Sequence, residues 1–450
     1  MTSSTKKQIA QLRHGQVLKG FAKTILGVAP DAWHKSRIDE ICRLSSGSTP
    51  RRDKAGNFRG NILWVTSGEL KAKFVCDTKE KVSQLAAKES RLELYEPGTV
   101  VAAIYGLEAA GIRGTASIIE ERCTISQVCM AFSGFKGVYN EFFYYWYLHN
   151  GPLIGIRFAQ GTKQQNLSSE IIGALPICFP PLPEQRKIAA ILATQDKVIE
   201  LYEHKIEQLQ LLKKNCLRKM FPRHGNDTPG VRFRGFTGTW ERKRLGDLFT
   251  EYAEKGRPEL PALMTIQGGG TVLRDESDRK LQYDRHSLSN YKVANKGDFI
   301  VHLRSFEGGL EIVTTPGLIS PAYHVFHGKK IDPRFYYAYF RSVGFIECDL
   351  KPHVYGIRDG RSIDIEGMKT IMIPHVSLKE QQAIGNCIES FDWLIALNQR
   401  KCDEEKQKKK ALTQLLLTGI VRVGEAASCR LERAGNEAAG SRFSTRIAKV

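Results

Sequence analysis

Two hydrophobic periods alternate along the chain, and each occurs twice. From about residue 30 to 180 the apolar residues come in short runs, Ile62-Leu-Trp-Val65, Thr99-Val-Val-Ala-Ala-Ile104 and Ile125 to Phe132, punctuated by Pro97-Gly98 and Gly111. Runs of this length bounded by turn formers predict strands. The aromatic stretch Phe142 to His149 predicts a helix, because an equivalent run recurs at Phe335 to Phe340. Between Leu182 and Phe221 the period changes: Ile199, Tyr202, Ile206, Leu209, Cys216 and Met220 follow steps of four and three, with Gln195 and Lys213 filling the remaining seam positions. That spacing keeps one stripe on one side of an α-helix, as a coiled coil requires. Pro183 suits the first turn, where its missing N–H is no loss, and Pro222 ends the run.

A second long helix, from Leu378 to about Thr418, repeats the register with Phe391, Ile395, Cys402, Leu412 and Leu416. Its middle, 398–410, is polar, with Asn398, Glu405 and Lys409 on seam positions, so it needs a partner. About 38 residues at ~1.5 Å per residue make a rod of roughly 57 Å. Two such rods could pack antiparallel.

The duplication is visible in the residues themselves. Pro183-Glu-Gln-Arg-Lys-Ile-Ala-Ala-Ile-Leu192 recurs as Lys379-Glu-Gln-Gln-Ala-Ile-Gly-Asn-Cys-Ile388, and Glu184 and Glu380, Asp196 and Asp392, and Lys213 and Lys409 each lie 196 residues apart. Upstream, Asn140-Glu-Phe-Phe-Tyr-Tyr-Trp-Tyr147 matches Asp332-Pro-Arg-Phe-Tyr-Tyr-Ala-Tyr339, Pro97-Gly-Thr-Val-Val101 matches Lys296-Gly-Asp-Phe-Ile300, and Trp33, Arg37 and Ile38 match Trp240, Arg244 and Leu245. The fold class that follows is α+β: two repeated mixed α/β domains, each followed by a long helix. The expected layout is an N-terminal extension at 1–29, a first domain at 30–180, a first long helix at 181–222, a second domain at 223–376, a second helix at 377–422 and a mobile tail at 423–450.

A chain of 450 residues exceeds what one growing core supports, and 42% hydrophobic residues can fill two. No run of 18 apolar residues exists and Met1 to Ala10 is polar, which argues against a membrane span or signal peptide and for a cytoplasmic protein. Ten cysteines without a Cys-x-x-Cys pair read as reduced, mostly packed thiols rather than a zinc site. The net charge of +19 does change the picture, since such an excess concentrates polyanions and makes nucleic acid the natural partner.

Enzyme signatures fail. No Gly-x-x-x-x-Gly-Lys-Ser/Thr, His-Glu-x-x-His, Gly-x-Ser-x-Gly or base-holding Asn/Asp-Pro-Pro-Tyr/Phe sequence occurs. Gly268-Gly-Gly270 and Phe306-Glu-Gly-Gly309 read as turns, and His324 and His327 as packed or solvated residues rather than metal ligands. Polar and basic residues instead gather in loops. Candidate DNA contacts are Ser48, Thr49, Arg51 and Arg52 in one loop, and Thr162, Lys163, Gln164, Gln165 and Asn166 in a second. The second half offers Arg304, His353, Tyr355, Arg358 and Arg361. Gln, Asn, Ser and Thr can read base edges, while Arg and Lys can grip guanine or neutralise phosphate. Helix pairing is assigned to Ile199, Tyr202, Ile206, Leu209, Phe391, Ile395, Leu412 and Leu416.

These residues resemble a known family, the specificity subunits of type I restriction-modification systems. The resemblance rests on Gly161-Thr-Lys-Gln-Gln-Asn-Leu167, on Leu175-Pro-Ile-Cys-Phe-Pro-Pro-Leu-Pro-Glu-Gln-Arg-Lys-Ile188 with its helix, and on Leu378-Lys-Glu-Gln-Gln-Ala-Ile384 with the ending Leu415-Leu-Leu-Thr-Gly419. Gly47-Ser-Thr-Pro50 before Trp64, and Asn290-Tyr-Lys292 before Gly297-Asp-Phe299, are also typical. The second helix departs from the pattern, with Val376-Ser-Leu-Lys-Glu-Gln where the family prefers prolines.

The resemblance implies a non-catalytic DNA reader in which each target recognition domain reads half of an asymmetric, bipartite site. The two helices would pair as an antiparallel coiled coil, fix the gap between half-sites and dock two modification subunits. Those partners would use S-adenosylmethionine to methylate adenine, and a restriction and translocase subunit would use ATP and Mg; this chain itself would bind no cofactor. A rod longer than one duplex turn of about 34 to 36 Å is consistent with two separated major-groove segments. The alternative is a stand-alone DNA-binding regulator that uses its duplicated domains as a pseudo-dimer.

Overall fold

The computed structural model describes residues 17–223, 225–276, 285–301, 310–355 and 362–423. The chain divides into two compact units, one formed by residues up to Glu200 together with those from Asp403, the other by Leu201–Cys402. The two long helices, Leu182–Met220 and Leu378–Leu417, each contribute one half to each unit.

In the first unit, strand His34–Arg37 pairs antiparallel with Pro176–Phe179, the strand that leads into the first long helix. A five-stranded sheet follows in the order Arg43–Ser46, Cys129–Ser133, Val100–Ala103, Ala116–Ile119 and Phe74–Val75. Val100, Val101, Ala102 and Ala103 are fully buried, as a central strand covered on both faces demands. One face receives the aromatic helix Asn140–Phe158, whose Phe142, Phe143 and Tyr147 pack with Phe132 of the sheet. The other face packs with Leu63, Val65 and Ile125 of a small sheet in the order Cys123–Ile125, Ile62–Val65 and Lys81–Val82.

The second unit repeats the plan. Glu241–Arg244 pairs with Met372–His375 in the same register: Arg37 faces Pro176, and Arg244 faces Met372, 196 residues further on. Its sheet runs Phe249–Tyr252, His324–Gly328, Phe299–Val301 and Glu311–Ile312, the order of the first four strands of its counterpart. Short helices at Ile38–Ile41 and Ser169–Gly173 meet in the first unit, and Leu245–Leu248 and Ile365–Lys369 do so in the second.

Three details depart from the sequence reading. Residues inside the expected extension form a hairpin, Phe21–Thr24 with Gly27–Pro30, too short and too polar to show a period. The apolar run from Ile125 to Phe132 is two strands, because Ser126 turns the chain: its N–H donates to Val65 and its carbonyl accepts from Cys129. The aromatic helix covers 19 residues in the first unit but only 8, Pro333–Phe340, in the second. The tail from 424 onward lies outside the described residues.

Candidate nucleic-acid interface and helix pairing

The Glu-Gln pair at the start of each long helix plays the same part in both repeats. Gln185 is fully buried; its side-chain oxygen accepts from the Tyr139 N–H at 2.7 Å and its nitrogen donates to the carbonyls of Pro180 and Gly137. Gln381, equally buried, accepts from the Asp332 N–H at 2.8 Å and donates to the Val376 carbonyl. Each amide thereby bolts a long helix to the start of its unit's aromatic helix. The preceding glutamates are held by arginines: Glu184 accepts a bidentate pair from Arg422 at 2.8 Å, and Glu380 a pair from Arg232 at 2.6 and 2.8 Å. Arg422 follows the second long helix and Arg232 the first.

The four-three stripe is the sheltered stripe. Ile199, Ile206, Asn398, Cys402 and Leu416 are buried, and Tyr202, Leu209, Phe391, Ile395 and Leu412 are half-buried. The polar seam residues have partners. In the first unit Gln195 bonds Glu405 and Lys409 pairs with Asp196; in the second, Lys213 pairs with Asp392 at 2.5 Å, and the Asn398 side chain donates back to the Leu394 carbonyl. Within the first unit, rising numbers on one helix meet falling numbers on the other, from Glu184 with Arg422 to Gln195 with Glu405.

The candidate contact loops fall into distinct states. Arg51 is exposed and paired with its neighbour Asp53. Arg52 is fixed: it makes a bidentate pair with Glu80, both bonds 2.9 Å, and lies over the rings of Phe58 and Trp64 at 4.6 and 5.5 Å. Its neighbours Ser48 and Thr49 are half-buried, and the Ser48 carbonyl accepts from the Trp64 indole. In the second loop Thr162, Lys163 and Gln164 are exposed, whereas Gln165 and Asn166 are half-buried. His353 ends a short 3-10 turn and Tyr355 stands exposed on the strand Val354–Tyr355. Arg304, Arg358 and Arg361 lie outside the described residues, as does Phe306-Glu-Gly-Gly309.

The described residues contain no group of three or more His, Cys, Asp or Glu able to hold a metal. His324 bonds Glu251 and His327 bonds Asp298, so the two histidines serve different carboxylates. Burial raises the thiols of Cys42, Cys123 and Cys129 to about 12, which keeps them protonated and inert. The glycines at 268–270 make the turn of the hairpin Leu263–Ile266 with Gly270–Leu273, as read from sequence. Among the described residues no helix is long and apolar enough to cross a membrane.

Residues 30–211 match the family model of the type I restriction modification DNA specificity domain. Over that stretch the chain is similar to the type I restriction-modification specificity family. The MjaVIII specificity subunit of Methanocaldococcus jannaschii is 26% identical over 292 residues, 59% of this chain and 66% of its own length. The MjaIX specificity subunit of the same organism is 24% identical over 253 residues, 53% of this chain and 56% of its own length. The matched stretches thus span less than two thirds of these relatives. Among solved structures, the type I restriction-modification S subunit from M. genitalium aligns over 88% of this chain and 99% of its own, with a TM-score of 0.51 at 14% identity. A chain from work on complex assembly and conformational transition of the type I system aligns over 87% and 99%, with a TM-score of 0.53 at 16% identity. At such identities the likeness is one of fold, and the fold it supports is the mixed, helix-joined pair expected of the specificity family.

Sequence reasoning missed Tyr105, Arg113, Arg232 and Arg422. The first two hold the Gly161–Asn166 loop and the last two hold the helix starts. None lies in a repeated motif, so only distance in the fold reveals them.

Proposed function

We propose that this chain is the non-catalytic DNA-recognition subunit of a type I restriction-modification complex. Each repeated domain reads one half of a bipartite, asymmetric site, and the long helices set the gap and carry the modification subunits. Those subunits bring S-adenosylmethionine, and a restriction and translocase subunit brings ATP and Mg. The observation that supports this most is the doubled joint at the helix starts: the same buried Gln and the same Arg-clasped Glu occur in each repeat. A duplicated reader on a duplicated support suits a target with two separate parts.

The test is co-expression with its modification partner followed by mapping of methylated adenines. Methylation at a bipartite motif only when both proteins are present is expected; methylation by this chain alone overturns the reading. A lone chain that binds one site tightly, with a footprint unchanged by the partner, would support a stand-alone regulator instead.

A further inference from the structure

The loop Gly161–Asn166 has a polarity that its composition conceals, because its acceptors are used internally. The side-chain oxygen of Gln164 accepts from the Tyr105 hydroxyl at 3.0 Å, and that of Gln165 from the Arg113 guanidinium at 2.9 Å. A guanidinium can only donate, so the Gln165 carboxamide is fixed with its oxygen toward Arg113. On the backbone, the Gln165 carbonyl accepts from the Leu107 N–H at 3.1 Å, and Gln160 and Asn166 exchange bonds of 2.8 and 2.9 Å. Glu108, a carboxylate beside the loop, is engaged by the Gln165 N–H at 2.8 Å. Gly161, at φ +100°, permits so tight a closure: a Cβ there would sit 2.2 Å from the Gln164 carbonyl oxygen.

The exposed residues carry the Lys163 ammonium and the Gln164 amide nitrogen, which only donate, and the Thr162 hydroxyl, which can donate or accept. Three of the four bases show a major-groove edge that includes a donor or a methyl group, whereas phosphate oxygens only accept. We propose that this loop is a sequence-independent clamp on the phosphodiester backbone, with Tyr105 and Arg113 as positioning residues that turn its amides outward. Composition leaves base and phosphate equally open; with both glutamine oxygens engaged, the loop offers mainly donors, which suit phosphate oxygens on any sequence. The inference rests on the DNA-binding reading above.

Equilibrium binding of the full chain, in complex with its modification partner, to a panel of duplexes varied one base pair at a time and over a range of salt tests both. Lys163→Ala should weaken every duplex alike, about tenfold, and lower the salt slope by about one, while Lys163→Arg should keep the slope. Tyr105→Phe should weaken every duplex alike by a few-fold, with slope and melting temperature unchanged. Gln164→Glu, which puts a negative charge against phosphate, should weaken all of them more. Relaxed discrimination at a single base pair in any of these variants overturns the clamp and assigns the loop to a guanine edge. A wild-type complex with no affinity for DNA fails at the earlier step and refutes the recognition reading itself.

Discussion

Lys409 pairs with Asp196, and the residues 196 positions from each, Lys213 and Asp392, form the same ion pair. The lysine of one repeat therefore always meets the aspartate of the other. The two pairs differ in surroundings: Asp196 is 17% exposed and also accepts from the Tyr145 hydroxyl at 2.6 Å, whereas Asp392 is 55% exposed. Asp196→Asn should destabilise by about 2 kcal/mol, since it disturbs a hydrogen bond to a buried phenol as well as the pair. Asp392→Asn should cost less than about 1 kcal/mol, as exposed pairs do. Urea unfolding midpoints of the two variants check the difference.

Arg232 and Glu380 are the more buried of the two helix-start clasps, at 17% and 3% exposure. Removing one partner of a sheltered pair leaves the other uncompensated. Arg232→Met should therefore cost about 3 kcal/mol, and the double variant Arg232→Met with Glu380→Leu should recover most of it. A double variant no more stable than the single one would show that the pair does more than compensate itself.

Glu184 gives the first unit an acid sensitivity of known sign. Burial pushes its carboxyl up, but the Arg422 hydrogen bonds, the Val423 N–H and nearby charge outweigh it and hold the group below its ordinary 4.5. A carboxyl with a lowered folded value stabilises fully above its unfolded value, and that stabilisation is lost as pH falls from 4.5 through the folded value. In Arg422→Gln the charged partner is gone while the Val423 N–H and Lys187 remain, so the site's contribution and the acid loss should both shrink. Unfolding midpoints at about pH 6 and about pH 3.5 for both proteins measure it.

Arg52 is held by the fold. With a bidentate carboxylate and two aromatic faces, Arg52→Ala should lower the melting temperature, and Arg52→Lys should not restore it, because an ammonium cannot reproduce the flat two-bond geometry. Arg51→Ala, at an exposed local pair, should leave the melting temperature in place.

Much of this was legible because helices and repeats write themselves in local spacing. The seam from Ile199 to Leu416 needed only the period, and Glu184 and Glu380 needed only the offset. What the loops do was not legible, because it depends on partners far along the chain. Lys163 and Arg52 look alike in composition, yet Arg52 is tied to Glu80, 28 residues away, and Lys163 stands exposed on a loop braced by Tyr105 and Arg113. The hairpin at Phe21–Pro30 escaped for a related reason: four-residue strands carry too few apolar residues to betray a period of two.

The buried carboxamides of Gln185 and Gln381 have one more consequence. An amide does not titrate, so the fastening between each lobe and its helix keeps its strength across the whole range in which the surrounding Asp, Glu and Lys residues gain or lose charge. Acid or salt should slacken the grip between helices while each lobe stays mounted on its own.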